Sequence, residues 1–269
     1  MKKVCLFLSD DVFAGLMIRP LLNNQPQIIA GIYIEQEMVG QRLPLETFLY
    51  VTQKSGIRYA LYQAVELICY RLLALIWELY SKRSILPSSQ AKRLKIPLFF
   101  INKQTWPILV EQLKSERPDL ILCIRFSRIL KQDMLGIPLN GIVNFHGSLL
   151  PKYAGLGSVL QAVRHGERFT GGTFHTMTEN VDEGVIVRQI QVPIDPDESV
   201  SSLHTKIYFA SSQEILKIFD PVSEQTETKQ IITRQSYYSF PAAEHVSEVI
   251  THGRKLIRPR DLVNFWKSL

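Results

Sequence analysis

Cysteine is scarce in this 269-residue chain: Cys5, Cys69 and Cys123 stand far apart, each inside an apolar run. An odd count without a Cys-x-x-Cys pair excludes a disulfide framework and a thiolate zinc cluster. It leaves ordinary buried thiols in a reducing compartment. Long uncharged apolar runs are missing too. The most apolar segment, Ile57–Tyr80, is interrupted by Glu66, Arg71 and Glu78, and no stretch reaches the roughly 18 residues a membrane span needs. The N-terminal run Val4–Leu8 stops at Ser9-Asp10-Asp11 with no small-residue cleavage site after it, which argues against a signal peptide. A cytoplasmic enzyme is the expectation.

Nor is there a dense basic block. The net charge of +6 is spread over Lys82-Arg83, Lys92-Arg93-Lys95 and Arg254, Lys255, Arg258 and Arg260, so a nucleic-acid partner is not expected. The first apolar run leads into Asp10-Asp11-Val12-Phe13 rather than a glycine-rich turn. Two carboxylates at that point would repel a phosphate. Internal repeats and low-complexity tracts are also lacking.

What is present is an alternation of strands and helices. Lys3–Leu8, Ile28–Ile34, Pro97–Ile101, Leu120–Ile124 and Gly141–Phe145 are short apolar runs suited to strands buried on both faces. Val12–Leu22, Thr105–Lys114 and Arg128–Leu135 are expected to be the crossing helices, and Ser84–Lys95 a polar, basic loop. Later come a strand at Val185–Val192 and a helix at Val200–Phe219. Beyond these, Gln230–Thr233 is expected as a short strand, with helices at Ala242–Thr251 and Arg260–Trp266. The pattern predicts an α/β fold with a doubly wound, mostly parallel, Rossmann-like sheet over residues 1–219, and a small C-terminal extension over 220–269. Ile57–Tyr80 is apolar around nearly its whole circumference, which suits a long helix packed on the core or between subunits. A homodimer through it is one expectation.

Sheets of this kind place ligands beyond the carboxyl ends of their strands. Asn144 and His146 stand at such an end, and Asp182 follows 36 residues after the histidine, behind another strand. An amide and an imidazole can hold a developing oxyanion, and a carboxylate can orient the imidazole and collect a proton. His146, His165 and His175 lack zinc-ligand spacing, so no metal is expected. His175 shares strand parity with Thr173 and is read mainly as a packing or hydrogen-bonding residue.

The stretch Asn144-Phe145-His146-Gly147-Ser148-Leu149-Leu150-Pro151, then Gly171-Gly172-Thr173-Phe174-His175, then Asp182-Glu183-Gly184 resembles the folate-dependent formyltransferase family. That family includes the glycinamide ribonucleotide, methionyl-tRNA and amino-sugar N-formyltransferases and the formyltetrahydrofolate deformylase. The resemblance runs from Pro118 through Gln189, with a fainter echo at Val4–Leu22. It implies that Asn144, His146 and Asp182 are the catalytic trio and that N10-formyltetrahydrofolate is the formyl donor. By the same likeness Phe126, Ser127, Arg128, Ile129 and Leu130 receive the pterin, with Asn180 and Val181 on the opposite wall. Ser148, Lys152 and Tyr153 then face the acceptor amine. Two departures stand out. Gly147 occupies a position where relatives usually carry proline, and Ala154 replaces an arginine common in the tRNA and sugar enzymes.

Among these relatives, Asp10-Asp11 argue against the ribonucleotide enzyme. The roughly 50 residues beyond Asp220 are small for the barrel domain of the methionyl-tRNA enzyme. The chain also opens on a strand like the catalytic domain's first, whereas the deformylase carries a regulatory domain before it. The expected acceptor is therefore a small-molecule amine, a nucleotide-linked amino sugar first. A methionyl-tRNA formyltransferase-like enzyme or a formyltetrahydrofolate hydrolase is the alternative.

Overall fold

The computed structural model describes residues 3–36, 44–219, 231–232 and 236–269. The chain opens with β1 (Val4–Ser9), α1 (Val12–Asn24), β2 (Ile29–Glu35), α2 (Pro44–Ser81), α3 (Pro87–Leu94) and β3 (Leu98–Ile101). It continues through α4 (Trp106–Glu116), β4 (Leu120–Ile124), α5 (Gln132–Leu135), β5 (Ile142–His146), β6 (Ala154–Gly155) and α6 (Ser158–Arg164). There follow β7 (Phe169–Thr176), β8 (Gly184–Pro193), α7 (Val200–Ser212), β9 (Ile231–Ile232), β10 (Tyr237–Tyr238), α8 (Ala243–Thr251) and α9 (Pro259–Ser268). The main sheet runs β3-β2-β1-β4-β5-β7-β8-β9. Its first five strands are parallel, while β7, β8 and β9 join antiparallel.

Why β1 lies centrally is visible in its side chains. Val4, Leu6 and Leu8 point into a core shared with α1, α2, α6 and α7, while Cys5 and Phe7 point into a second core under α4 and α5. A continuous apolar run is what a strand covered on both faces requires. Burial pushes the Cys5 thiol up to about 12 and the Cys123 thiol well above its ordinary range. All three cysteines are unpaired.

Three sequence expectations are corrected. The segment expected as a helix over Arg128–Leu135 is helical only over Gln132–Leu135. Ahead of it, Ser127 donates from its N–H and its hydroxyl to Glu35 Oε2 (2.8 and 2.9 Å), and the Arg128 guanidinium stacks on the Trp106 ring. These anchors hold the chain irregular, with a bend at Arg128, until the helix begins. The expected loop at Ser84–Lys95 contains α3, which starts at Pro87 and is pinned by the buried Gln90 amide donating to the Gly15 and Ile85 carbonyls. The helix expected over Val200–Phe219 ends at Ser212 and is followed by a 3-10 turn at Ile215–Phe219. Of the strand expected at Gln230–Thr233, Ile231–Ile232 pairs with β8; Gln230 and Thr233 lie outside the described residues.

α2 breaks at Gly56, whose φ of 79° and ψ of 159° separate two helical pieces. By length and composition it could cross a membrane, yet one of its faces is docked on the body. Tyr59, Tyr62, Glu66, Tyr70 and Ala74 are buried. The Tyr62 hydroxyl donates to Glu66 Oε1 (2.9 Å), which lies 3.3 Å from His204 Nδ1 on α7. Burial alone would raise the Glu66 carboxyl, but His204 beside it brings it below the ordinary carboxylate range. Phe265 and Trp266 of α9 cover the same face through edge contacts with Tyr70 and Trp77.

Candidate active site

β5 carries Asn144 and His146 to its carboxyl end, and the register with β7 sets Asn144 opposite His175 and His146 opposite Thr173. Asp182 reaches the same point from the turn between β7 and β8. It adopts φ 54°, a left-handed conformation that Asp and Asn tolerate better than most residues. Its Oδ2 lies 3.4 Å from His146 Nδ1 and accepts the Gly155 N–H at 2.6 Å. On the far side of the ring, His146 Nε2 is 3.0 Å from the Tyr153 carbonyl. Both ring nitrogens thus face oxygen acceptors.

His175 does more than pack. Its Nδ1 is 3.0 Å from the Thr176 carbonyl and its Nε2 is 3.2 Å from Asn144 Nδ2. Burial, opposed by Asp182 and reinforced by His146, lowers its pKa to about 4. A neutral ring with the proton on Nδ1 then donates to Thr176 and accepts one N–H from Asn144. That leaves the second amide N–H of Asn144 free on a half-buried side chain.

The loop after β5 is fastened to β7. Thr173 Oγ1 donates to the Ser148 carbonyl (2.6 Å) and accepts from the Leu150 N–H (3.1 Å), while Gln189 Nε2 donates to the Leu150 carbonyl (2.6 Å). The Gly147 carbonyl accepts from Ser158 Oγ at 3.0 Å. Gly155 must be glycine: it has φ 92°, and a Cβ would stand 2.0 Å from the Tyr238 carbonyl oxygen. Sequence reasoning missed Gly155 N–H and the Tyr153 carbonyl as partners of the trio, because backbone groups leave no mark in a residue pattern.

The other sequence-designated residues divide into three groups. Phe126 packs on Phe7 and Trp106, Leu130 is buried, and Ile129 is 65% exposed between the buried Arg128 and Leu130. Asn180 is exposed on the turn before Asp182 and donates to Glu183 Oε2 (2.8 Å), with half-buried Val181 beside it. Ser148 is buried, its hydroxyl on the Lys152 carbonyl. The side chains of Lys152 and Tyr153 turn instead toward Glu167, each 2.8 Å from its Oε1, and line a separate cavity of about 540 Å³.

At the carboxyl ends of β1 and β4 lies a cavity of about 430 Å³, bounded by Asp11, Phe13, Arg125, Phe240 and the inner flank of α2. Asp11 caps α1 by accepting the Phe13 and Ala14 N–H groups (2.9 Å each), and it pairs with Arg125 Nε at 2.5 Å. Asp10 accepts from Ser88 N–H and Oγ. The helix end that could hold an anion is filled by the chain's own carboxylate.

The sequence profile described as "Formyl transferase" matches residues 81–218, just over half of the chain. The chain belongs to the formyl transferase family. As a formyltransferase-family enzyme it is 38% identical over 133 residues to the methionyl-tRNA formyltransferase of Halalkalibacterium halodurans, covering 49% of this chain and 42% of that protein. It spans less than half the length of the methionyl-tRNA formyltransferases it matches. Its fold is that of glycinamide ribonucleotide transformylase 1 from Symbiobacterium toebii (TM-score 0.57, 19% identity, 86% of this chain and 93% of that one). A sugar N-formyltransferase from Shewanella sp. FDAARGOS_354 shares it as well (TM-score 0.54, 13% identity, 88% and 76% coverage). The formyl transferase match begins at the last residue of α2, so β1, β2 and nearly all of that helix lie outside it.

Proposed function

We propose that this protein transfers a formyl group from N10-formyltetrahydrofolate to a primary amine, with Asn144, His146 and Asp182 as its reacting-site residues. The observation that carries the reading is the meeting of these three side chains, brought from β5 and from the turn after β7, at one carboxyl edge of the sheet. The folate supplies an activated formyl carbon. When an amine adds to that carbon, negative charge gathers on its oxygen and a proton must leave the nitrogen. The free N–H of Asn144 is the donor for that charge, and His146 joins it when its Nε2–H turns from the Tyr153 carbonyl to the substrate oxygen. Asp182 keeps a proton on His146 Nδ1 and is the nearest carboxylate to accept the one the amine sheds.

The residues fit a pterin. Ile129 offers exposed apolar surface beside a backbone held by Glu35, and Asn180 presents an exposed amide on the turn before Asp182.

For the acceptor, the strongest support is the likeness to methionyl-tRNA formyltransferases, so an aminoacyl-tRNA amine is the first reading. The exposed basic residues Lys82, Arg83, Lys92, Arg93 and Lys95 suit a polyanion. A nucleotide-linked amino sugar is the second, favoured by the cavity where Phe240 and Phe13 stand near Arg125 and Arg71. Asp11 in the cap of α1 speaks against a ribonucleotide phosphate there. The test is formyl transfer by the purified full chain, offered the folate with methionyl-tRNA, with nucleotide-linked amino sugars, or with no amine. Amine-dependent transfer supports the proposal; release of formate at the same rate without any amine makes it a hydrolase.

A further inference from the structure

The second piece of α2 has two apolar faces. One is docked on the body as described; the other is turned to solvent, where Leu61, Val65, Ile68, Leu72, Leu75 and Leu79 are 43–83% exposed. Their spacing is four, three, four, three, four. That is the a/d repeat of a helix packed against another helix, sustained for about 27 Å. No carboxylate interrupts it: Glu66 is buried and Glu78 accepts from Ser84. The charge at its flank, Arg71, is half exposed and donates to the Asp10 carbonyl, which holds it to the side of the seam.

We propose that this seam joins two copies of the chain through an antiparallel, two-fold pairing of α2 helices centred on Tyr70. In that register Leu61 meets the other copy's Leu79, Val65 meets Leu75 and Ile68 meets Leu72, so every seam residue has a partner. Each β-branched side chain then faces a leucine, and the two helix dipoles oppose. Because the seam lies opposite the docked face, the two bodies fall on opposite sides and do not collide. The solvent-facing area of these six residues with Leu67 and Ile76 is on the order of 800 Å², about what one partner contributes to a standard stable interface. An exposed apolar patch of that size is rare on monomers.

The pairing also brings the two Cys69 side chains to the same flank near the axis. Cys69 is the cysteine that is not buried, so it reports the orientation.

The experiment is sedimentation velocity on the full chain in detergent-free buffer at micromolar concentration. Wild type should sediment as a dimer. Val65→Glu and Leu75→Lys should each sediment as monomers with unchanged far-ultraviolet circular dichroism, and their equimolar mixture should regain the dimer. A short bismaleimide should link wild type into a covalent dimer and leave Cys69→Ser unlinked; this arm needs no variant that perturbs the seam. A monomeric wild type, a Val65→Glu variant that still dimerises, or a mixture that stays monomeric overturns the proposal. So does a monomer that floats with anionic phospholipid vesicles, which would assign the seam to a membrane surface. A dimer with no Cys69 link would overturn the antiparallel register.

Discussion

His175 Nε2 lies 3.2 Å from the Asn144 amide nitrogen, and this contact fixes which way the amide points. With one N–H committed to the imidazole, the other is aimed by the amide plane, and rotation of the side chain would break the bond. In the proposed reaction the histidine acts through the asparagine, as a positioning residue.

Replacement of His175 with alanine is expected to lower kcat by roughly ten- to hundredfold, the scale of losing orientation at a reacting group. KM for the folate should hardly change, because the polar contacts of His175 go to Asn144, Thr176 and Asp182 and not to residues 126–130. Steady-state kinetics separate the two; a change confined to KM would contradict the assignment.

Asp182→Asn is the informative change at the carboxylate. Asparagine tolerates φ 54° and its side-chain oxygen can still accept the Gly155 N–H, so the fold should persist. The charge beside His146 is removed. We expect kcat to fall at least a hundredfold, with thermal unfolding close to wild type. His146→Ala should fall by a similar factor.

Stability should drop as the solution is acidified from about 6.5 to about 4. His175 has its folded pKa lowered to about 4 by burial, against an ordinary value of 6.5. Across that window the unfolded chain binds a proton that the folded chain refuses, so unfolding gains as pH falls. The full effect is at most roughly 3 kcal/mol. Tm should fall as the pH is lowered through this range, and His175→Gln should flatten the dependence.

Gly155→Ala is expected to cost about 2 kcal/mol or more, since the new Cβ meets the Tyr238 carbonyl at 2.0 Å and φ is 92°. The same change should displace the N–H that holds Asp182, so activity should fall further than stability alone explains.

Breaking the buried link between α2 and α7 is a separate matter. Glu66→Ala leaves His204 and the Tyr62 hydroxyl without their acceptor and should destabilise by about 3 kcal/mol, seen in urea unfolding.

Much of this was legible in residue order. The unbroken apolar run of β1 announced a strand covered on both faces, and the strand pattern around Asn144, His146 and Asp182 let their convergence at one carboxyl edge be expected. What could not be read were contacts made across long separations. α3 is rich in lysine, arginine and serine, and its helicity rests on a buried Gln90 that bonds to carbonyls of Gly15 and Ile85. The segment at Arg128 has a helix-compatible composition, but Glu35, from a distant strand, claims Ser127 and keeps the chain out of a helix there. The contacts of Lys152 and Tyr153 with Glu167, across 15 and 14 residues, likewise leave no mark in the loop's own pattern.

The Asp11 cap of α1 also sets the terms for redesign. Turning this scaffold toward phosphorylated acceptors would require evicting a resident anion before a foreign one could be admitted. Arg125 would then lose its present counter-ion and become available to the newcomer. A single replacement of the aspartate by glycine would therefore both vacate the berth and arm it, at the expense of a loosened first turn.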